Sequence, residues 1–397
     1  MDEAQKRGLL KRWSVKEKTF KRDVEEEAKP FISDKNAVFL YGPRRSGKST
    51  VAKRIVWSWK NAKSVYLNLE DPALESELGT GLLDEFAQGL APRDLLVIDE
   101  VQLVSGWEKW VRRAVDTRQC SVLVTGSSAK LLSGEFASSL GGRGVGFRVL
   151  PLSFREFVRV SKKGLEEYLR LGGYPEIVLN PDKKDRLLES YFELALMKDV
   201  VERYNVRNAG DLRTLAFYLL TNSGKLTSFK QVRAALGLSF DSIRNFTDYL
   251  ETAFLIFQVP FFSYSMKESL AKPRKIIAWD NGMQDYASKS FSPDYGSKAE
   301  AAVAHELRRR GFELYYWRGK REVDFVARKK LGVTPVNVCY AAELTAREEE
   351  GLIEFCSEFK TREAIALYLG KTRTVEKEGM LLRLINLREW LLSKELD

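Results

Sequence analysis

Residues 37–50 read AVFLYGPRRSGKST, and no other stretch limits the fold of this chain so tightly. Five apolar residues run into Gly42, Pro43, Arg44, Arg45, Ser46, Gly47, Lys48, Ser49 and Thr50, and the helix-forming VAKRIVWSW follows. Strand, glycine-bearing loop and helix in this order make a phosphate cradle. Glycines let backbone N–H groups wrap the anion, and the helix N-terminus adds partial positive charge. The residues from Gly42 to Thr50 are therefore candidate nucleotide contacts. Lys48 is assigned to the β- and γ-phosphates and the Ser49 hydroxyl to Mg²⁺. The ligands expected for such a loop are ATP and Mg²⁺.

A second signal, LLVIDE, occupies residues 95–100. Its apolar residues read as a buried strand whose end brings Asp99 to a Mg²⁺-bound water and Glu100 to the attacking water as general base. SVLVTGSS (121–128) reads as another buried strand. Ser127 at its tip is the candidate for touching the γ-phosphate or the attacking water, with Ser128 second. The loop LGGRG (140–144) presents Arg143. An arginine there is a candidate to reach the γ-phosphate held by a neighbouring subunit, which implies a homo-oligomer. The catalytic candidates are thus Glu100, Lys48, Asp99, Ser127 and Arg143.

Composition excludes several classes. At 397 residues the chain has room for roughly two to four domains. No apolar run approaches the ~20 residues of a membrane span. The first twenty residues lack the central apolar block of a secretory leader, so the expected location is the cytoplasm, with no membrane partner. Cys120, Cys339 and Cys356 are too dispersed for a disulfide framework or a zinc knuckle. His305 is the only histidine and reads as a packing or surface residue. The net charge is +10 and it is clustered. Residues 1–22 hold eight Lys/Arg against three Asp/Glu, 225–275 eight against four, and 298–330 ten against five. Clusters of this kind fit a polyanion such as DNA, because each neutralised phosphate releases counterions. They fit a solvated lysine-rich surface equally well.

In the middle of the chain, SFKQVRAALG reads as a short helix closing at Gly237, and DSIRNFTDYLETAFLIF as a longer amphipathic one. Helix, short turn and second helix form a helix-turn-helix pattern, and KPRK (272–275) could serve as a wing. Lys230, Arg233, Arg244, Lys272, Arg274 and Lys275 are DNA-contact candidates here. Further on, 298–311 reads as a helix, 312–317, 322–328 and 333–341 as strands, TAREEEGLIEFCSEFK as a helix, and 364–370 as a strand.

GPRRSGKST, VIDEVQ, VTGSSAKLLS, LGGRG and PLSFREF occur in that order, followed by LGGYPE (171–176) and DVVERYNVRN (199–208). Together they resemble the archaeal and bacterial AAA+-type ATPases associated with mobile elements, which often carry a C-terminal domain like the PD-(D/E)xK nucleases. The resemblance implies the α/β fold class: a P-loop ATPase core with a parallel sheet and helical lid, a winged-helix module and an α/β restriction-endonuclease-like domain. The corresponding boundaries are a basic segment over 1–22, the core over 23–155, the lid over 156–222, the winged helix over 223–285 and the nuclease-like domain over 286–397. It also implies four-way junctions among the DNA forms bound.

In the nuclease-like fold, acids on the first helix and second strand and a (D/E)xK on the third strand gather Mg²⁺ around a phosphate. Glu300 and Asp324 match the first two and make a weak second metal site. The third motif is missing, since Asn337 and Cys339 stand where an acid and a lysine belong; Glu322 or His305 could compensate. Asn lacks the charge a hard cation needs. Binding without cutting is expected, with Arg308, Arg309, Arg310, Lys320 and Arg321 facing phosphates. The combined expectation is an ATP-hydrolysing enzyme that binds duplex or branched DNA. The alternatives are an ATP-dependent endonuclease and a nucleotide-controlled assembly switch.

Overall fold

The structure is a computed structural model and describes residues 19–32, 35–60, 62–127, 140–288, 294–330 and 332–394. Most of the basic segment 1–22 and Ser128 lie outside the described residues. The chain divides into two compact units, Met1–Pro151 and Leu152–Asp397.

In the first unit, helix α1 (Asp23–Ile32) leads into β1 (Ala37–Tyr41), α2 (Lys48–Ser58), β2 (Ser64–Asn68), α3 (Thr80–Ala87), β3 (Leu95–Asp99), α4 (Trp107–Asp116), β4 (Ser121–Gly126) and β5 (Gly144–Arg148). The strands pair in the order β2-β3-β4-β1-β5, every pairing parallel. Strands β1, β3 and β4 are buried along their whole length. That is why apolar residues dominate them: both faces of a parallel sheet are covered. Trp107, Trp110, Val111 and Ala114 turn one stripe of α4 inward. Val24, Ala28 and Ile32 of α1 join Val51, Ala52 and Ile55 of α2 over Val38, Leu40, Val97 and Leu123. The chain leaves β1 for the far edge at β2, returns through β3 and β4, and passes to β5 on the other side. β1 thus flanks the point where strand order reverses, and open α/β sheets bind ligands there, beyond the C-terminal strand ends.

The second unit begins with helices α5 (Phe154–Ser161), α6 (Leu165–Leu171), α7 (Pro175–Leu179), α8 (Lys184–Leu194) and α9 (Ala209–Thr221). Ser153 and Glu156 cap α5 reciprocally. The stretch Ala195–Val201 is a π-helix. Ile177, Leu188, Phe192, Leu212, Leu215 and Leu219 form a core shared with Ile243, Leu250, Ile256 and Ile276.

Next come β6 (Leu226–Thr227), α10 (Phe229–Leu236), α11 (Phe240–Thr252), β7 (Ile256–Val259), α12 (Met266–Ala271), β8 (Arg274–Ala278) and α13 (Asn281–Ser288). Gly237 closes α10 at φ 71°, as its sequence indicates. The second helix ends at Thr252, short of the AFLIF that the sequence assigned to it. Phe254 turns the chain at φ 57°, and the β-branched and aromatic residues of IFQV pair with β8 instead. β6, β8 and β7 form an antiparallel three-stranded sheet.

The remaining elements are α14 (Tyr295–Arg309), β9 (Glu313–Arg318), β10 (Glu322–Lys329), β11 (Gly332–Val338), α15 (Ala346–Phe359), β12 (Glu363–Tyr368), β13 (Arg373–Lys377), β14 (Met380–Asn386) and α16 (Leu387–Leu392). Their six-stranded sheet runs β13-β14-β12-β11-β10-β9, antiparallel from β9 to β11 and parallel from β11 through β12 to β14. Among the described residues no helix is long and apolar enough to cross a membrane.

Candidate nucleotide site and acidic cluster

The loop after β1 has little freedom. A Cβ on Gly42, whose φ is +152°, would sit 2.2 Å from the Val149 carbonyl oxygen. Gly47, at φ 97°, precedes α2, whose first turn has no side-chain cap. Uncapped amides at a helix N-terminus point at whatever anion the loop encloses. The Lys48 ammonium is buried and donates to the carbonyls of Gly42 at 3.1 Å and Pro43 at 2.9 Å. Phosphate oxygens can take over these bonds. The Ser46 hydroxyl is buried without a hydrogen-bond partner. Arg22 fastens the loop from outside, donating to the carbonyls of Ser46 at 2.8 Å and Leu150 at 2.7 Å.

Asp99 is gathered by three hydroxyls. Ser49 donates to Oδ1 at 3.1 Å, Thr125 donates to the same oxygen, and Tyr66 donates to Oδ2. Burial pushes the Asp99 carboxyl above its ordinary range, and the Thr125, Tyr66 and Ser49 hydroxyls oppose that rise. The Thr125 hydroxyl also accepts from the Glu100 backbone N–H at 3.0 Å, so one side chain on β4 places both acids. Glu100 sits at φ 58° and accepts from the Gln102 amide. Ser127, buried two residues beyond Thr125, follows the end of β4. The uncapped helix, the replaceable Lys48 bonds and the unpartnered Ser46 hydroxyl fit a nucleotide phosphate, and the Ser49–Asp99 pair fits its Mg²⁺.

Arg143 lies elsewhere. Its carbonyl accepts from Ala37 N–H at 2.8 Å, at the start of β1, whereas the phosphate loop leaves the other end of that strand. Five strand residues span ~16 Å. Arg143 pairs with Asp116, and a contact with its own chain's phosphate is out of reach.

In the second unit, Glu300 on α14, Glu322 and Asp324 on β10 converge on one ammonium, that of Lys275 on β8. The separations are 3.3, 3.3 and 3.5 Å. Lys275 is 2% exposed, so the sequence reading that placed it against DNA is corrected: the neighbouring sheet carries it inward to the carboxylates. Burial works against its charge, yet Glu300, Asp324 and Glu322 more than offset this and hold its pKa high. Burial, with repulsion from Asp324, raises the Glu300 carboxyl. Asn337 has a structural task. It accepts from Asp324 N–H at 2.9 Å and donates to the Glu348 carbonyl at 2.8 Å, while Asp324 accepts from Val338 N–H at 2.9 Å. His305 is buried and bonded to the Ala278 carbonyl, away from the compensating role that the sequence left open to it. Among the described residues there is no group of His, Cys, Asp and Glu ready to hold a metal ion.

The other basic candidates divide. Lys230, Arg233, Arg244, Lys272, Lys320 and Arg321 are exposed. Arg274 bonds Gln258 at 2.9 Å. Arg308 lies over the Phe257 ring, and Arg309 pairs with Glu306. Arg310 is a second correction. It is stacked 4.1 Å over Trp390, paired with Glu306, and donates to the carbonyls of Trp390 and Ser393, so it does not face a phosphate.

Tyr66, Thr125, Gln102 and Arg22 escaped the sequence reading. Thr125 had a visible signal, a hydroxyl inside the apolar run SVLVTG. Tyr66 had none, since a tyrosine in a strand reads as core.

An AAA domain pattern matches residues 34–158, and two patterns described as domains of unknown function match 162–294 and 295–390. The Methanocaldococcus jannaschii protein described as uncharacterized protein MJ1544 is 33% identical over 369 residues, which cover 84% of this chain and 80% of that protein. A Haemophilus influenzae protein, also described as uncharacterized, is 28% identical over 379 residues, covering 89% of this chain and 94% of its own. Among solved structures, a Thermotoga maritima RuvB variant overlaps at TM-score 0.33 and 18% identity, over 60% of this chain and 89% of that one. The Aeropyrum pernix Orc1 protein in complex with DNA overlaps at 0.27 and 13%, over 67% and 90%. Overlaps this loose carry no inference about function. The AAA match spans the phosphate loop and both acids, and the shared length with MJ1544 reaches well beyond it. The chain carries an AAA domain over residues 34–158 and belongs to the same family as uncharacterized protein MJ1544 of Methanocaldococcus jannaschii.

Proposed function

We propose that this chain hydrolyses ATP to drive a DNA-binding machine, working in the cytoplasm as a homo-oligomer on duplex or branched DNA, four-way junctions included. The observation that carries the reading is the run Ser49–Asp99–Thr125–Glu100 beside an uncapped helix N-terminus. Ser49 and Asp99 would hold Mg²⁺, which would supply positive charge against the phosphates. Lys48 gives up its loop carbonyls for the β- and γ-phosphate oxygens. The Ser49 hydroxyl, still donating its hydrogen bond to Asp99, would offer its oxygen to the metal. Glu100, its backbone held by Thr125, takes the proton of the attacking water. Ser127 contacts the γ-phosphate or that water, and Arg143 serves the site of a neighbouring copy.

The helices α10 and α11 with their antiparallel sheet fit a winged helix, and the exposed Lys230, Arg233, Arg244 and Lys272 suit phosphate contacts. The domain from α14 onward fits a nuclease-like fold used for binding, with Lys320 and Arg321 at its surface. Two observations support binding without cutting. The third motif has Asn337 where an acid belongs, and the Lys275 ammonium stands where a cation would. The endonuclease reading keeps one observation in its favour: Lys275 returns to the acids the lysine that Cys339 does not supply.

An ATPase assay without DNA and with linear, forked and four-way DNA tests the reading. Stimulation by DNA, with all three substrates left uncut in Mg²⁺ or Mn²⁺, is expected. ATP turnover indifferent to DNA, with no DNA affinity at low salt, would replace it with the assembly switch. Metal-dependent cutting lost in Glu300→Ala and Asp324→Ala would establish the endonuclease.

A further inference from the structure

We infer that Tyr66 is a positioning residue of the nucleotide site: its hydroxyl fixes the direction in which the Asp99 carboxylate faces, and thereby the response of nucleotide binding to Mg²⁺. The inference rests on the ATP-site reading above.

Tyr66 lies in the middle of β2, and β2 pairs with β3 so that Asn68 stands beside Asp99. Side chains two apart share a face, which puts Tyr66 diagonally across from Asp99. Diagonal neighbours are ~7–8 Å apart at the backbone, a gap that tyrosine can bridge and shorter side chains cannot. Its ring is 5% exposed and packs among Val51, Ile55, Leu95 and Val97. The ring is therefore a core element, and the hydroxyl is what it adds to the site.

The three donors on Asp99 have different consequences. Ser49 and Thr125 both address Oδ1, and Tyr66 addresses Oδ2. A carboxylate with both donors on one oxygen can swing about its Cβ–Cγ bond. A donor on the other oxygen stops the swing. Oδ1 is then held toward Ser49, the residue read as the metal ligand. Without the Tyr66 hydroxyl, Oδ2 is a buried acceptor left unpaired, which is costly enough for the carboxylate to turn. The Tyr66 hydroxyl also shares a hydrogen bond with the Ser49 side chain. Its named partners, Asp99 and Ser49, are the two residues read as serving the metal, so the Mg²⁺-dependent part of binding is the part it controls.

The test compares the full chain with its Tyr66→Phe variant, which keeps the ring and removes one oxygen. Binding of a fluorescent ATP analogue is titrated in EDTA and again in Mg²⁺. Affinity in EDTA should be unchanged within about twofold, while the gain in affinity from Mg²⁺ should fall by about tenfold, as expected for a buried acceptor stripped of its donor. An unchanged Mg²⁺ gain would overturn the inference. So would an equal loss in EDTA and in Mg²⁺, since that marks a packing role. If the unaltered chain shows no nucleotide binding that Lys48→Ala removes, the ATP-site reading fails first and takes this inference with it.

Discussion

His305 gives the second unit a pH dependence that can be worked out in advance. It lies on α14, 6% exposed, with Nε2 2.6 Å from the Ala278 carbonyl oxygen and its ring against Phe257 and Trp279. Burial pushes its pKa down from 6.5 to about 4, with the Ala278 carbonyl working the other way and Arg309 adding to the fall. Above pH 6.5 the imidazole is neutral in folded and unfolded chains alike. Between 6.5 and about 4 the unfolded chain takes up a proton that the folded chain refuses, so stability falls as the pH falls. At ~1.4 kcal/mol per pH unit the loss reaches roughly 3 kcal/mol by pH 4 and about 2 kcal/mol at pH 5. Asp280 acts oppositely in this window. Burial raises it to about 6 against the amides of Gly173, Met283 and Gly282, so its contribution rises as the pH falls. The unaltered chain alone is thus a composite, and the comparison with His305→Asn isolates the imidazole, because the amide can still donate to Ala278. Urea unfolding of both proteins from pH 8 to 5 should show their stability difference flat above pH 7 and shifted by about 2 kcal/mol against the unaltered chain at pH 5. With one histidine in the sequence, a single imidazole C–H resonance reports the titration directly. A midpoint near 6.5, or a difference that stays flat to pH 5, would refute the reasoning.

Lys48→Ala should abolish nucleotide binding or turnover, and Glu100→Gln should bind ATP while losing about 10²–10⁴ of the rate, the usual worth of a general base; filter binding and phosphate release separate the two, and an ATP affinity lost in Glu100→Gln would contradict its role. Lys275→Met should cost roughly 3–5 kcal/mol, as breaking a buried ion pair does, because Glu300, Glu322 and Asp324 are left facing one another. Protonation relieves that repulsion, so the loss in urea unfolding should be larger at pH 8 than at pH 6, and a loss independent of pH would argue against a charge effect. Arg143→Ala and Lys48→Ala proteins, each inactive alone, should recover part of the ATPase rate when mixed; no recovery despite demonstrated subunit exchange would remove Arg143 from the neighbour's site.

The sequence by itself determined the elements whose cause is local. AVFLY, LLVI and VLV are apolar because strands covered on both faces tolerate little else. The loop 42–50 is legible because a backbone that curls round phosphate needs glycines and a lysine at set intervals. Gly237 ended its helix where the sequence said it would, since a left-handed closing residue favours glycine. Where local preference was divided, as in AFLIF, the partner strand decided: IFQV joined β8 and left the helix. Tertiary structure alone decided the neighbours of each side chain. Tyr66 and Thr125 meet Asp99 from strands 33 and 26 residues away, and no periodicity encodes such a pairing. Lys272 and Lys275 sit in the same basic tetrad, yet one is exposed and the other is buried among three carboxylates. Charge in a sequence says how a residue interacts, and only the fold, which takes Lys275 into β8 and leaves Lys272 at the end of the preceding helix, says with what.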